Sequence, residues 1–537
     1  MRPFGRRLIF GVEILILAAL ILATRCANYQ DVFIGEHIYF TDADCYARMT
    51  RVRLCAQHPG LILRHHTFEN YPEGTTPHTT APFDYAILLL SDLLRPFSSR
   101  PIDMAGALIS PGFAVIAGAF LCWWARQMGL AFRWAMLVLF ALSPILVHGT
   151  ELGRPDHQSF AILLVLIALC ADVIRRESDS ARWSVVSGFA WGLAIWVSVY
   201  EPLILFALSA ATGLALYFRD MRTNKESSSL TRSISGPASL RHSRIKWIVF
   251  GGILLCALLI ERRVPSISVF VRDPIFHNWS RTIGELAPIS LLNPIWLKWL
   301  GWLIVPAPCL LLLSMRTKRN RVPLTVMLLL IATFGLTMWQ ARWGYFLAVL
   351  FVIALPVLLG SLPSRFVGWL LFVVSLWPIL RDWDEKLWPN EFTAARQIEQ
   401  QHEAVELHEM SINLISAERR PFLAPWWLSP AIVYWSGQPA VAGSSHEGLS
   451  GIADSARFFL TEDAGAAFEL LQRRGVHWVI TYDAERVEKN SSAILGKLVS
   501  GRSLARILDQ RPTQAPPFLT LFSQNGTVKV FEVANKW

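Results

Sequence analysis

Over the first 380 residues apolar positions do not alternate with polar ones but gather into unbroken blocks separated by short polar connections. Blocks at about 8–24, 104–124, 130–148, 158–174, 183–199, 202–218, 247–260, 297–315, 323–340, 343–360 and 367–380 predict eleven membrane-spanning helices. The stretch 83–94 is short and carries Asp84 and Asp92, which predicts a helix lying in the membrane interface rather than crossing it. Past Arg381 the pattern changes. Helical periodicity returns near 391–408 and 463–474, a strand is expected at 476–482, and two strand-like runs flank Asn525-Gly526, a hairpin signal. The expected architecture is a polytopic α-helical membrane domain over 1–380 and a mixed α/β domain over 381–537.

Composition agrees: 53% hydrophobic residues, 22 Trp and a mean hydropathy of +0.39 exceed what a soluble domain of 537 residues needs to bury. The net charge of +10 could suggest a nucleic-acid partner, but its distribution argues against one. With the N-terminus, the connections around 125–133, 175–182, 219–246, 316–321 and 361–366 hold 20 Lys and Arg against four acids, Glu177, Asp179, Asp220 and Glu226. That asymmetry is a topology signal. It places the N-terminus, with Arg2, Arg6 and Arg7, in the cytoplasm, and the C-terminal domain outside a plasma or inner membrane. Counting 83–97 as a span would reverse every later loop. The outer face is then shared by 25–103, 149–157 and 261–296, while 219–246, rich in serine, is a flexible cytoplasmic linker. Leu8 to Thr24 is read as an anchor, because Thr24-Arg25-Cys26 is a poor cleavage site for a signal peptide. Of seven cysteines, four fall in apolar blocks, and an oxidising face would permit a Cys45–Cys55 bridge, which no CxxC or His-paired metal spacing supports further.

Candidate chemistry lies in the outer loops. Asp42-Ala43-Asp44 offers two carboxylates able to share a hard cation. Asp156, in Gly153-Arg154-Pro155-Asp156-His157-Gln158, directly precedes an apolar block, where an acid also suits a helix N-cap. Glu285 ends Thr282-Ile283-Gly284-Glu285 in the third loop, and Arg342 lies between two apolar blocks, where a cation needs a partner or must snorkel. Singly, each has a plain structural reading. Together they put an acid-bearing motif in every outer loop on one face.

These residues resemble the catalytic subunits of oligosaccharyltransferases, GT-C membrane enzymes that move a glycan from a lipid carrier to asparagine. Asp42-Ala43-Asp44-Cys45-Tyr46 is similar to the family's first acidic motif, with Asp44 the expected metal ligand. Asn70-Tyr71-Pro72-Glu73-Gly74 resembles its first-loop pattern. Asp156 and Gln158 stand where the second acidic motif faces the metal, glutamine being a departure. Thr282 to Glu285 matches the TIxE motif, and Gln340-Ala341-Arg342-Trp343 resembles the late-helix arginine motif near the lipid diphosphate. Trp426-Trp427 begins the WWDYG motif, but Leu428-Ser429-Pro430 replaces Asp-Tyr-Gly. The acid that reads the acceptor hydroxyl is therefore absent from its place, and His446 or Glu447 would have to substitute. Gly437 to Val441 and Leu449-Ser450-Gly451 are family-like again.

The resemblance implies a GT-C fold, a divalent cation (Mg or Mn) on Asp44, Asp156, Glu285 and Gln158, and partners comprising a polyprenyl-linked glycan donor, an acceptor protein or peptide and the lipid bilayer. Asp44 and Glu285 would hydrogen-bond the acceptor amide, while Arg342 would hold the diphosphate. The missing acid keeps a second expectation open, a GT-C enzyme using a polyprenyl-phosphate sugar and a non-asparagine acceptor. A transporter is disfavoured because its polar groups belong near the bilayer midplane. Asn278, Asn490 and Asn525 head three Asn-x-Ser/Thr sequences.

Overall fold

A computed structural model of the chain describes residues 3–177, 180–226, 237–263, 273–316, 323–499 and 501–534; most of the serine-rich part of the predicted linker lies outside them. Every predicted apolar block falls in helix, but the blocks are not all continuous rods. Among the described residues five helical segments are long and apolar enough to cross a membrane: Leu8–Arg25, Pro101–Gln127, His157–Arg175, Ala341–Gly360 and Arg365–Leu387. Shorter apolar helices, including Arg133–Leu142, Ala307–Arg316 and Leu324–Trp339, stand beside them.

The breaks have local causes. Block 130–148 divides at Ser143, where Pro144 starts a new turn and the Ser143 hydroxyl donates to the Trp299 carbonyl at 2.7 Å. Block 297–315 divides at Gly301, which holds a positive φ of 72°, and again before Ala307. Helix Gly344–Gly360 is apolar all round and almost wholly buried, as expected of a central helix. It packs against Leu324–Trp339, Arg133–Leu142 and His157–Glu177.

The loop residues 25–103 fold onto this bundle. Helix Ala43–Gln57 starts at Asp42, whose carboxylate accepts from the Cys45 amide at 2.9 Å, an N-cap. Cys45 and Cys55 lie on this one helix as free thiols. Ten residues of helix separate them by about 15 Å, too far for a bridge between them. The short acidic stretch forms the helix Ala81–Leu94, but Asp84 is not solvated: it is buried and paired with Arg48 and Arg51, each at 2.8 Å. Burial alone would raise its pKa, and the two guanidiniums outweigh burial and lower it. Asp92 stays exposed beside Arg95.

After Arg381 a four-stranded sheet forms in the order Phe422–Leu423, Trp478–Thr481, Lys529–Val533, Leu519–Gln524, the first pair parallel and the others antiparallel. The hairpin turns at Asn525-Gly526, with Asn525 Oδ1 accepting from the Val528 amide at 2.9 Å. The 391–408 periodicity becomes helix Glu391–Ile412, and 463–474 becomes Ala464–Arg473 capped by Asp463. This sheet has its own apolar core around Phe422, Val479, Phe458 and Phe531. Ala431 and Tyr434, from helix Ser429–Ser436, belong instead to the core of the helical bundle.

Candidate active site

Acidic residues from all three predicted outer loops meet around one buried arginine. Arg154 Nη1 lies 3.1 Å from Asp42 Oδ2, and its Nη2 lies 2.6 Å from Glu285 Oε1. The same carboxylate of Glu285 accepts from Gln158 Nε2 at 3.0 Å and from the Tyr345 hydroxyl at 3.1 Å. Tyr345 is in turn 2.8 Å from His148 Nδ1. Glu285 sits on the short 3-10 turn Gly284–Leu286, which packs against Ala341–Trp343 through Ala341 N donating to the Ala287 carbonyl.

Asp156 directly precedes helix His157–Glu177, and its carboxylate is 2.7 Å from His157 Nδ1. Burial would raise its pKa, but His157 and Arg154 hold it well below the usual carboxylate range. Glu285 is likewise lowered, burial being outweighed mainly by Arg154. Asp44 behaves in the opposite sense and is pushed up to about 7 by its enclosed setting, then by Asp42, with Asp156 and Glu285 adding to the effect. Asp44 is nonetheless an exposed residue, so it stands at the mouth of an acidic recess formed by Asp42, Asp156, Glu285 and Arg154. Ser444, from the C-terminal domain, lies near enough to Asp44 to oppose that rise, which brings the domain to the edge of the site.

The oxygen donors Asp44, Asp156 and Glu285 carry concentrated negative charge, and Gln158 Oε1 is buried without a partner. An all-oxygen set with an unsatisfied buried acceptor has the chemistry a hard divalent cation takes, although here Glu285 is held by Arg154 and the three carboxylates do not close to within 4.8 Å of one another. Arg342 pairs with Glu201 at 2.5 Å beside the Tyr200 ring, and its buried Nε has no acceptor.

The tryptophan pair lies on the C-terminal side. Trp426 Nε1 donates to Asn490 Oδ1 at 2.8 Å, and its ring meets Trp279 at 5.5 Å. Trp427 stands edge-on to Trp426 at 6.0 Å. Where an acid would follow, Leu428 leads into helix Ser429–Ser436, and Ser429 is buried with its hydroxyl on the Pro425 carbonyl. Glu447 holds His78 at 2.8 Å, and His446 lies 3.5 Å from the same oxygen. The two loop motifs expected from the resemblance also touch: Asn70 Oδ1 accepts from the Ser450 hydroxyl at 2.8 Å and the Gly451 amide at 3.0 Å. The three sequon asparagines are engaged, Asn278 with the Ile494 carbonyl and Asn525 with that of Glu406, besides Asn490.

Three participants escaped the sequence reading. Arg154 stood inside a quoted motif, and a cation amid acids was its signal. Glu201 had a weaker one, an acid at the head of an apolar block with Arg342 in need of a partner. Ser444 had none, because only the fold brings it to Asp44.

No family model matches the chain. A stretch of 203 residues, 36% of this chain, is 28% identical to dolichyl-phosphooligosaccharide-protein glycotransferase 1 of Archaeoglobus fulgidus, and spans only 33% of that protein. Among solved structures, the archaeal oligosaccharyltransferase AglB from Archaeoglobus fulgidus, in complex with an inhibitory peptide and a dolichol-phosphate, superposes with a TM-score of 0.64 at 14% identity, covering 92% of this chain and 71% of that one. ArnT from Cupriavidus metallidurans bound to undecaprenyl phosphate superposes with a TM-score of 0.54 at 13% identity, covering 98% of both chains. The chain thus has the fold of the GT-C membrane glycosyltransferases, and its resemblance to the oligosaccharyltransferase catalytic subunits holds in sequence and in structure.

Proposed function

We propose that this protein is an oligosaccharyltransferase-like enzyme that moves a glycan from a polyprenyl-diphosphate carrier to an asparagine side chain on the outer face of a membrane. The observation that supports the reading is the convergence of Asp42 and Glu285 on Arg154 beside Asp156, residues of three separate loops, with Asp44 and Arg342 near enough to act electrostatically on that cluster. An amide nitrogen is a weak nucleophile because its lone pair is delocalised; the rotation barrier of about 18–20 kcal/mol measures that resonance. Asp44 and Glu285 accept hydrogen bonds from the acceptor amide and orient it toward the sugar. Arg342, with its unpaired Nε, donates charge-assisted hydrogen bonds to the departing diphosphate. Asp44, Asp156, Glu285 and Gln158 would hold a divalent cation, which when bound would supply Lewis-acid stabilisation of that leaving group, worth several kcal/mol. Trp426 and Trp427 line the acceptor side.

A second reading has its own observation: the place of the acid that would read a sequon hydroxyl is taken by Leu428 and the start of a helix. This favours a non-asparagine acceptor and a polyprenyl-phosphate sugar on the same GT-C scaffold. One assay separates the two. Purified protein with lipid-linked glycan is expected to modify a sequon peptide, and Glu285→Gln or Asp44→Asn lowers turnover by about 10²–10³, the scale of losing one electrostatic stabiliser. Full transfer by both correctly inserted variants would remove the site assignment. A wild-type protein inert toward sequon peptides but active on another acceptor would establish the second reading.

A further inference from the structure

Outside the acidic recess one cluster combines two imidazoles with a carboxylate. His78, His446 and Glu447 each offer a ligand atom within 4.8 Å of the other two. They come from distant parts of the chain: His78 from the loop ahead of helix Ala81–Leu94, His446 and Glu447 from the turn His446–Gly448 in the C-terminal domain. Glu447 Oε1 is fixed by the His78 amide at 2.7 Å and by His78 Nδ1 at 2.8 Å, with His446 Nε2 at 3.5 Å. The other oxygen, Glu447 Oε2, is buried with no hydrogen-bond partner. A buried carboxylate oxygen left unsatisfied is costly, and an ion or donor normally completes it.

From this geometry we infer a second metal site, His78–His446–Glu447, selective for a divalent transition ion of the zinc class. The donor set decides the class: two imidazoles and one carboxylate suit zinc, with bonds of about 2.0–2.2 Å, and leave a fourth position for water. Magnesium, bound through oxygens, favours the all-oxygen recess instead. The two sites are neighbours, since the His78 ring lies 6.3 Å from that of His157, which bonds Asp156. A metal here ties the first outer loop to the C-terminal domain beside the acidic recess.

The test uses the full chain carrying Asp44→Asn and Glu285→Gln, so that the acidic recess no longer competes. After chelation it is titrated with Zn²⁺ alone, and bound metal is counted by elemental mass spectrometry. About one equivalent is expected to bind, with protons released from the imidazoles as the site fills. Adding His78→Gln, or separately His446→Gln, weakens zinc binding by at least about tenfold, and Co²⁺ loses its tetrahedral visible absorption in the same variants. Excess Mg²⁺ leaves the bound zinc in place. Two single variants are used so that a folding defect in one, seen by gel filtration, leaves the other informative. No zinc on the background protein, or equal zinc affinity in both histidine variants, overturns the site.

Discussion

At the residue scale, the site is governed by which charges are allowed to remain buried. Asp84 illustrates how far sequence can reach: a short acidic helix was legible, but its acid turned inward because Arg48 and Arg51, one turn apart on the neighbouring helix, supply two partners. The reading placed Asp42 and Asp44 together, and the fold separates their roles, one capping a helix and the other facing the recess. His66 carries a pH prediction. Its ring is buried, stacks on Phe68 at 3.7 Å and bonds the Thr75 hydroxyl at 3.0 Å. Burial, then Arg51, lowers its pKa from 6.5 to about 3. Above pH 6.5 His66 is neutral in folded and unfolded chains and contributes nothing. Below it the unfolded chain takes up a proton that the folded chain refuses, so stability falls by up to ~1.4 kcal/mol per pH unit until about pH 3. His66→Gln keeps polar reach toward Thr75 but cannot titrate. Thermal melts in detergent at pH 6.5 and 5 should show a smaller drop in the variant; equal drops would mean His66 is already protonated or solvated.

At the element scale, helix identity was legible because long apolar blocks have few alternatives, whereas their interruptions were not. Nothing in the apolar run 297–315 announces that Gly301 turns left-handed there, since its neighbours are as apolar as those of any continuous span. The reason lies in another helix. A Cβ on Gly301 would strike the Ser375 carbonyl oxygen, so close backbone approach and positive φ both require glycine. Gly301→Ala is expected to cost about 1–3 kcal/mol from the backbone conformation alone, more with the clash. The contact between Trp302–Ile304 and Arg365–Ser375 would loosen. Thermal denaturation of the purified variant measures this, and an unchanged melting temperature would show that the break tolerates a side chain. Whether Cys45 and Cys55 could bridge was open for a related reason: spacing in sequence could not say that both cysteines share one helix.

At the scale of the whole molecule, the C-terminal domain reaches the recess at Ser444, and among its contacts with the rest of the chain is the short helix Ser429–Ser436, which starts where the WWDYG pattern breaks. Tyr434 anchors that helix. Its hydroxyl donates to Asp103 Oδ1 at 2.7 Å, Arg53 donates to its carbonyl at 2.8 Å, and the Arg53 guanidinium lies 3.5 Å from the ring centroid. Phe40 and Tyr46 meet the ring edge-on at 5.5 Å each. The helical bundle and the sheet domain each have their own apolar core, so this contact, with those of Asn70, Glu73 and His78 to the C-terminal domain, couples two units that could otherwise melt apart. The wild-type chain is expected to unfold in one calorimetric transition. Tyr434→Ala, which deletes a buried ring worth about 3–5 kcal/mol, should split it into two, whereas Tyr434→Phe should lose only about 0.5–1.5 kcal/mol and keep one. The proposed glycan transfer should fall in the alanine variant, because Ser444 moves away from Asp44 as the domain loosens. A single transition in Tyr434→Ala, shifted but undivided, would place the coupling elsewhere, in the Asn70 contacts to Ser450 and Gly451.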